Sequence, residues 1–285
     1  MSDGFELFYR RWETGGDVER IILGLNGIGS HSGAFRLMGE HLPVMVPGTR
    51  LYGTDRRGFG NSVESGFQRG GVSSFKRYLA DVDETVQFTR QENPGKKFYL
   101  FGKSEGTIHA LRVAASHPES VDGLILAASP VIPKVNAGGA GLIARVVLLR
   151  VFSPESMIDT LRYQPKAVRE SNEISSVMED PLSSKMMFSA RFAIGVPSLF
   201  RSILKYAAQV RAPALILQGD ADNTVATEGA SRLLETLAST DKALKIFKNA
   251  DHNFYDSLPP RAASRYDDAM RNQVYEVVSD WLRTR

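Results

Sequence analysis

The chain contains no cysteine, and that absence removes disulfides, thiolate metal sites and a cysteine nucleophile together. It also has little net charge: +3 over 285 residues, with the basic residues scattered. That is too small and too diffuse for a nucleic-acid surface, so no nucleic-acid partner is expected. Long apolar runs are missing too. The longest, Gly141 to Phe152, is broken by Arg145 and Arg150 and falls short of the roughly 20 residues that cross a bilayer. The first residues, Met1 to Arg10, have neither a basic n-region nor an apolar stretch. No signal peptide is expected from them, and the expected location is cytoplasmic. What remains is ordinary globular usage, 42% hydrophobic and 24% charged, in a chain long enough for one large α/β domain or one domain with an insertion.

The stretch that organises the rest is Phe98-Tyr-Leu-Phe-Gly-Lys-Ser-Glu-Gly-Thr107. A short run of strand formers turns through Gly102, Lys103, Ser104, Glu105 and Gly106. After it, Ile108, Leu111 and Ala115 recur at helical spacing. Strand, G-x-S-x-G, helix is the context of a nucleophile elbow, in which two glycines permit a turn tight enough to expose a serine at a helix N-terminus. Two cofactor readings fail nearby. A phosphate loop ending in Gly102-Lys103-Ser104 needs a glycine where Lys97 stands, and the early G-x-G loop has Ser32 where a dinucleotide fingerprint needs its third glycine. Neither a cofactor nor a metal is expected.

Taken in order, residues 4 to 12 alternate as an edge strand, Ile21 to Leu25 form an apolar strand, and Leu37 to Leu42 a helix closed by Pro43. Arg50 to Asp55 is the next strand. Ser73 to Glu92 has helical periodicity with Ser73 or Ser74 as N-cap, and Gly123 to Ala128 is a further strand. This alternation predicts βαβ units and a mostly parallel central sheet flanked by helices. It breaks after Pro130 and resumes with Ala214 to Gln218, a helix near 226–238, the strand Leu244 to Phe247 and a last helix over 264–283. Residues 1–130 and 211–285 are therefore read as the core. Residues 131–210 are read as a helical insertion over the C-terminal edge of the sheet, where open α/β sheets bind ligands. A cluster of Met157, Met178, Met186, Met187 and Phe188 reads as the insertion's own core or as pocket lining.

A serine hydroxyl needs a base, usually a histidine held by a carboxylate. Only five histidines are present. His117 and His41 read as helix-end residues, and His109 sits firmly inside the elbow helix. His31 lies in an early loop and can line the pocket. His252 follows the late strand Leu244 to Phe247, on the side the elbow faces, and is the best base. The loop after Ala214 to Gln218 offers Asp220 and Asp222 as the acid. An oxyanion needs fixed N–H donors. These are expected from the backbone of Glu105, the residue after the nucleophile, and of Ile28 in the early glycine loop. An unpaired Glu105 carboxylate about 5 Å from that oxyanion would cost roughly 3 kcal/mol at an effective dielectric of 20. A cation is therefore expected beside it, with Lys103 and Arg56 as candidates, or the side chain points away.

Five stretches carry a wider likeness: Asn26-Gly-Ile-Gly-Ser-His-Ser-Gly-Ala-Phe35, Thr54-Asp-Arg-Arg-Gly-Phe-Gly-Asn-Ser62, Gly102 to Gly106, Leu217-Gln-Gly-Asp-Ala-Asp222 and Ala250-Asp-His252. They resemble, in turn, the H-G-x-G-E-H-S-G-R-Y, D-x-R-G-x-G-x-S, G-H-S-x-G, L-Q-G-x-x-D and histidine-loop motifs of the α/β-hydrolase superfamily. Within it, the likeness is to the monoacylglycerol lipase and lysophospholipase group of serine-aminopeptidase-like hydrolases. Glu179-Asp-Pro-Leu182 is similar to part of that group's cap. The resemblance implies an α/β-hydrolase fold with a helical cap and selects Asp222 over Asp220. It implies a serine hydrolase acting on a long-chain acyl ester through Ser104, His252 and Asp222. Asn26 stands where the group has histidine, and Ser30 and Ala34 stand where it has glutamate and arginine. With His31 and Lys103, Ser30 is a candidate substrate contact. The partner expected is a small or lipid-like acyl ester, with contact to a lipid surface through segment 141–152 as a further possibility. Two other readings stand beside this one: a binding protein on the same scaffold without turnover, and the same triad used on thioesters or lactones or for acyl transfer.

Overall fold

The computed structural model describes residues 1–134, 140–170, 172–254 and 268–285. In chain order the first half runs β1 (Tyr9–Trp12), β2 (Arg20–Leu25), α1 (Arg36–Met45), β3 (Thr49–Thr54), α2 (Phe75–Gln91), β4 (Lys97–Lys103), α3 (Glu105–Ser116) and β5 (Gly123–Ala127). Then come α4 (Ala140–Phe152), β6 (Met157–Asp159), α5 (Lys166–Arg169), α6 (Asn172–Glu179), β7 (Met187–Ser189), α7 (Ala190–Arg201) and α8 (Ile203–Ala207). The chain closes with β8 (Ala214–Gly219), α9 (Thr227–Thr236), β9 (Lys242–Phe247) and α10 (Asp268–Arg283). The start expected for the last helix, 264–267, lies outside the described residues.

One seven-stranded sheet has the order β1-β3-β2-β4-β5-β8-β9. Only β1 runs antiparallel, against β3. The inner strands β2, β4, β5 and β8 are apolar on both faces because both faces are covered, as parallel sheets require, while the edge strands β1 and β9 carry exposed charged residues. Ile21, Leu23, Leu100, Leu124 and Ile216 point to one side, against Val82 and Val86 of α2, Ile108 and Leu111 of α3 and Leu233 of α9. Ile22, Tyr99, Phe101, Ile125 and Leu217 alternate to the other side, against Met38 and Leu42 of α1 and Val278, Trp281 and Leu282 of α10. The period-2 alternation of side chains along a strand thus sorts two cores from continuous apolar runs.

Two local expectations shift. The alternation over 4–12 pairs only from Tyr9, because β3 ends at Thr54 and offers ladder partners to residues 9–12 alone; Phe5 instead lies under the Arg57 guanidinium at 4.2 Å. Helix α1 does not stop at Pro43. A proline inside a helix removes the bond to the carbonyl four residues back and crowds that carbonyl, but the turn after it persists here, with Val46 N–H donating to Leu42 O at 2.8 Å.

The span between β5 and β8 leaves the sheet. It contains a two-stranded antiparallel ribbon, β6 with β7, which three-residue strands do not announce in sequence. The ribbon and its flanks sit on the loops after β2 and β3. Ser184 N–H donates to Gly29 O at 2.9 Å and Ser189 N–H to Gly70 O at 3.0 Å. Phe188 and Phe192 pack with Phe59, Val72 and Tyr78, joined by Ile28 and Met186. Of the methionine cluster, Met178 is exposed. Further on, Leu199, Ile203, Ala207 and Val210 enter the main core beside α3.

Candidate active site

Ser104 sits between β4 and α3 with φ 50° and ψ −118°. That left-handed conformation costs a non-glycine residue of order 1–3 kcal/mol and persists only where the surroundings enforce it. Here the enforcement is visible. Ser104 N–H donates to Ala127 O at 2.9 Å, and Ser104 O accepts from Thr107 N–H at 3.0 Å. A Cβ on Gly102 would lie 2.6 Å from Gly106 O, and one on Gly106 would lie 1.8 Å from Leu25 O. The two glycines let the strand, the helix and the end of β2 close on one another, which leaves the serine at the tip. The early loop reaches the same place, since a Cβ on Gly27 would lie 3.9 Å from Ser104 Oγ.

Asp222 and His252 come together in the loops after β8 and β9. His252 Nδ1 donates to Asp222 Oδ2 at 2.8 Å. The same carboxylate accepts from Gln218 Nε2 at 3.1 Å and from the Thr224 and Val225 N–H groups at 2.7 and 2.9 Å. Burial would raise the Asp222 pKa, but the histidine and these N–H groups hold it below its ordinary value. With Nδ1 donating, the neutral ring keeps Nε2 as its basic nitrogen. Asp220 does different work: its Oδ1 accepts from Asn249 N–H at 2.6 Å. Gly219 lets the two loops cross, since a Cβ there would meet Ala250 O at 2.2 Å. Because β4, β8 and β9 are parallel, Ser104, Asp222 and His252 all lie at one edge of the sheet. A serine, an imidazole and a buried carboxylate so placed can attack a carbonyl, move the proton and hold the imidazolium.

Glu105 is fully buried, and the expected cation beside it is Arg56. Arg56 Nη2 donates to Glu105 Oε2 at 3.1 Å and to Gly27 O at 2.9 Å. Tyr78 OH donates to Glu105 Oε1 at 2.9 Å, and His109 Nε2 lies 3.4 Å from the same oxygen. Burial alone would raise the Glu105 pKa, and the Arg56 guanidinium, His109 and the Tyr78 hydroxyl together more than offset it, so the carboxyl stays below its ordinary value. The neighbouring Arg57 turns the other way, onto Asp81, Glu64 and Asp3. Lys103, the other candidate, donates to Asn253 Oδ1 and so ties the residue before the serine to the histidine loop. Neither the Ile28 N–H nor the Glu105 N–H is given to a backbone acceptor among the described residues.

His31 Nδ1 accepts from Gly33 N–H at 3.0 Å, so its Nε2 carries the hydrogen and donates to Asp180 Oδ2 at 2.7 Å. It joins the loop after β2 to the inserted span. Ser30 is half-buried in that loop, with its N–H 3.3 Å from Gly27 O. Sequence reasoning did not assign Tyr78, His109, Gln218, Asn253 or Asp180 to the site. The i, i+4 spacing of Glu105 and His109 on α3 was a usable signal; Tyr78 carried none, because its partner lies 27 residues away in sequence.

His109 makes a stability prediction. Burial, with the Arg56 and Arg112 charges, pushes its pKa from 6.5 down to about 4, against the pull of Glu105. The unfolded chain therefore binds a proton that the folded one refuses. Stability is complete above the unfolded value of 6.5 and is lost as pH falls towards about 4. The loss amounts to about 3 kcal/mol. Urea unfolding midpoints at neutral and at mildly acid pH should therefore diverge less in His109→Gln than in the unaltered protein. Equal pH dependence in the two would contradict this account.

The profile of the family described as serine aminopeptidase, S33, matches residues 16–256. Human monoglyceride lipase is 27% identical over 286 residues, covering 100% of this chain and 89% of that protein. Among solved structures, monoacylglycerol lipase of Paleococcus ferrophilus superposes with a TM-score of 0.75 at 23% identity, covering 97% of this chain and 98% of that one. A soluble variant of Saccharomyces cerevisiae monoglyceride lipase, in complex with a substrate analogue, gives 0.77 at 23% identity, covering 98% and 92%. The parallel sheet with its strained serine after β4 and these matches agree: the chain has the α/β-hydrolase fold and belongs to the serine aminopeptidase S33 family.

Proposed function

We propose that this protein is a serine carboxylic-ester hydrolase working through an acyl-enzyme. The observation that carries the reading is the buried Asp222–His252 pair, 2.8 Å apart, at the sheet edge where Ser104 stands in a strained elbow. Ser104 Oγ attacks the ester carbonyl while His252 Nε2 takes the hydroxyl proton. The tetrahedral oxyanion is held by the Ile28 and Glu105 N–H groups. His252 then gives the proton to the leaving alkoxide, which departs as the alcohol, and water repeats the cycle to free the acid and Ser104. Asp222 orients the ring and stabilises the imidazolium throughout. Pairing of Glu105 with Arg56 takes away one motive for a binding protein without turnover, an unpaired charge beside the oxyanion.

The substrate class in this reading is a lipid-like acyl ester, as the names of the relatives suggest and as the apolar side chains of Ile28, Met186 and Phe188 near the elbow loop favour. Residues 131–210 serve as the cap, with the His31–Asp180 contact as one of its attachments. On α4, Leu142 and Val146 face inward, while Val147, Leu148, Val151 and Phe152 are exposed beside Arg145 and Arg150. Such a face suits an anionic lipid surface. Among the described residues no helix is long and apolar enough to cross a membrane.

The test is hydrolysis of p-nitrophenyl esters from acetate to laurate, offered as monomers and in anionic vesicles. Turnover rising with chain length, and a Val151→Asp/Phe152→Asp variant impaired only with vesicles, is the expected result. No turnover of any ester would overturn the reading, and equal impairment in both formats would remove the lipid-surface part.

A further inference from the structure

Arg56 touches neither the serine nor the Asp–His pair in any contact described above, yet it is only 2% exposed and ends on two groups that flank the nucleophile. Resting on the reading of Ser104 as nucleophile, we propose that Arg56 is a positioning residue. It fixes the Ile28 N–H as an oxyanion donor by gripping the Gly27 carbonyl, and the Glu105 side chain anchors it there.

The geometry has three parts. A trans peptide is planar, with its C=O and N–H pointing in opposite directions, and no cis peptide occurs among the described residues. The Gly27 carbonyl and the Ile28 N–H belong to one such plane, so whatever holds the oxygen aims the N–H. Arg56 Nη2 holds that oxygen at 2.9 Å, closer than the turn bond from Ser30 N–H at 3.3 Å. The peptide also borders the nucleophile, as the 3.9 Å between a Cβ on Gly27 and Ser104 Oγ shows.

The second part is the anchor. Glu105 receives the same Nη2 at 3.1 Å and is itself held by Tyr78 OH. The Tyr78 ring lies 5.5 Å from the guanidinium carbon. Glu105 is fully buried, so water does not take over these bonds. The third part is that Glu105 supplies the other donor from its own backbone. One chain of bonds, from the Glu105 carboxylate through Arg56 to Gly27 O, therefore sets the spacing between donors that arise in separate loops, after β2 and after β4. A charged donor on the carbonyl also polarises the peptide and strengthens its N–H, as in other hydrogen-bond chains.

The test uses the full chain with Arg56→Met and Glu105→Gln combined, so that no buried charge is left unpaired. Rates are normalised to sites titrated by a fluorophosphonate. Misaiming one donor should lower kcat per titrated site by about 10- to 100-fold, with KM changed by no more than about twofold. Affinity for an alkyl boronate, which becomes tetrahedral on the serine, should fall in proportion to kcat/KM. Affinity for a non-hydrolysable ether analogue should hold. A merely structural role would lower the unfolding midpoint and leave kcat per titrated site unchanged; that result, or equal losses for boronate and ether, overturns the proposal. If the double variant does not fold, Arg56→Lys, which keeps a buried cation beside Glu105, is read by the same two ratios, with about a tenfold loss in kcat expected. Failure of the underlying reading looks different: the unaltered protein would take no fluorophosphonate at Ser104.

Discussion

Ser104→Ala is expected to lower kcat/KM for a medium-chain p-nitrophenyl ester by about 10⁴-fold or more. The hydroxyl removed is the group that bonds the acyl group in the proposed mechanism, and no other described residue stands in the same elbow. Stability should hardly change. The elbow conformation, φ 50°, is enforced by bonds of the Ser104 backbone to Ala127 and Thr107 and by the absence of side chains at Gly102 and Gly106, all of which alanine preserves. The residual rate should be that of the oxyanion donors and binding alone. Retention of most of the esterase rate in a folded Ser104→Ala protein would remove the acyl-enzyme mechanism.

Asp222→Asn should lower kcat by about 10⁴-fold with the fold intact. An amide oxygen can still accept from Thr224 and Val225 N–H, which are 2.7 and 2.9 Å away. What is lost is the carboxylate facing His252 Nδ1. An amide NH₂ there favours the tautomer that puts the hydrogen on Nε2, where Ser104 needs a base. The unaltered carboxyl titrates below its ordinary 3.8. Its protonation therefore does not shape the rate profile above that pH, and the loss in Asp222→Asn should extend across the neutral range. Steady-state kinetics over a pH series checks both points. A variant within about tenfold of the unaltered rate would assign Asp222 a structural role.

Much of this site is legible in the sequence because its parts are local. Strand, G-x-S-x-G and helix occupy one continuous stretch, and Asp222 and His252 each follow a recognisable apolar strand. The fold reads for the same reason: buried parallel strands are short apolar runs separated by helical periodicity. What is not legible is long-range or short. The sequence offers two cations for Glu105, and in the fold Arg56 reaches it while Lys103 goes to Asn253. Tyr78 reads in sequence only as part of α2, and meets Glu105 through packing of α2 on α3. The β6–β7 ribbon escapes because three residues carry too little alternation to register. Asp180 is found only once the inserted span is laid on the loop that carries His31.

The central claim is that Ser104 is the nucleophile, and the most direct measurement is intact-protein mass spectrometry after exposure to a fluorophosphonate, followed by peptide mapping. The account predicts one adduct per chain, on Ser104, formed in step with loss of esterase activity and absent from Ser104→Ala. An adduct on another residue, or continued ester turnover with Ser104 quantitatively modified, would contradict it.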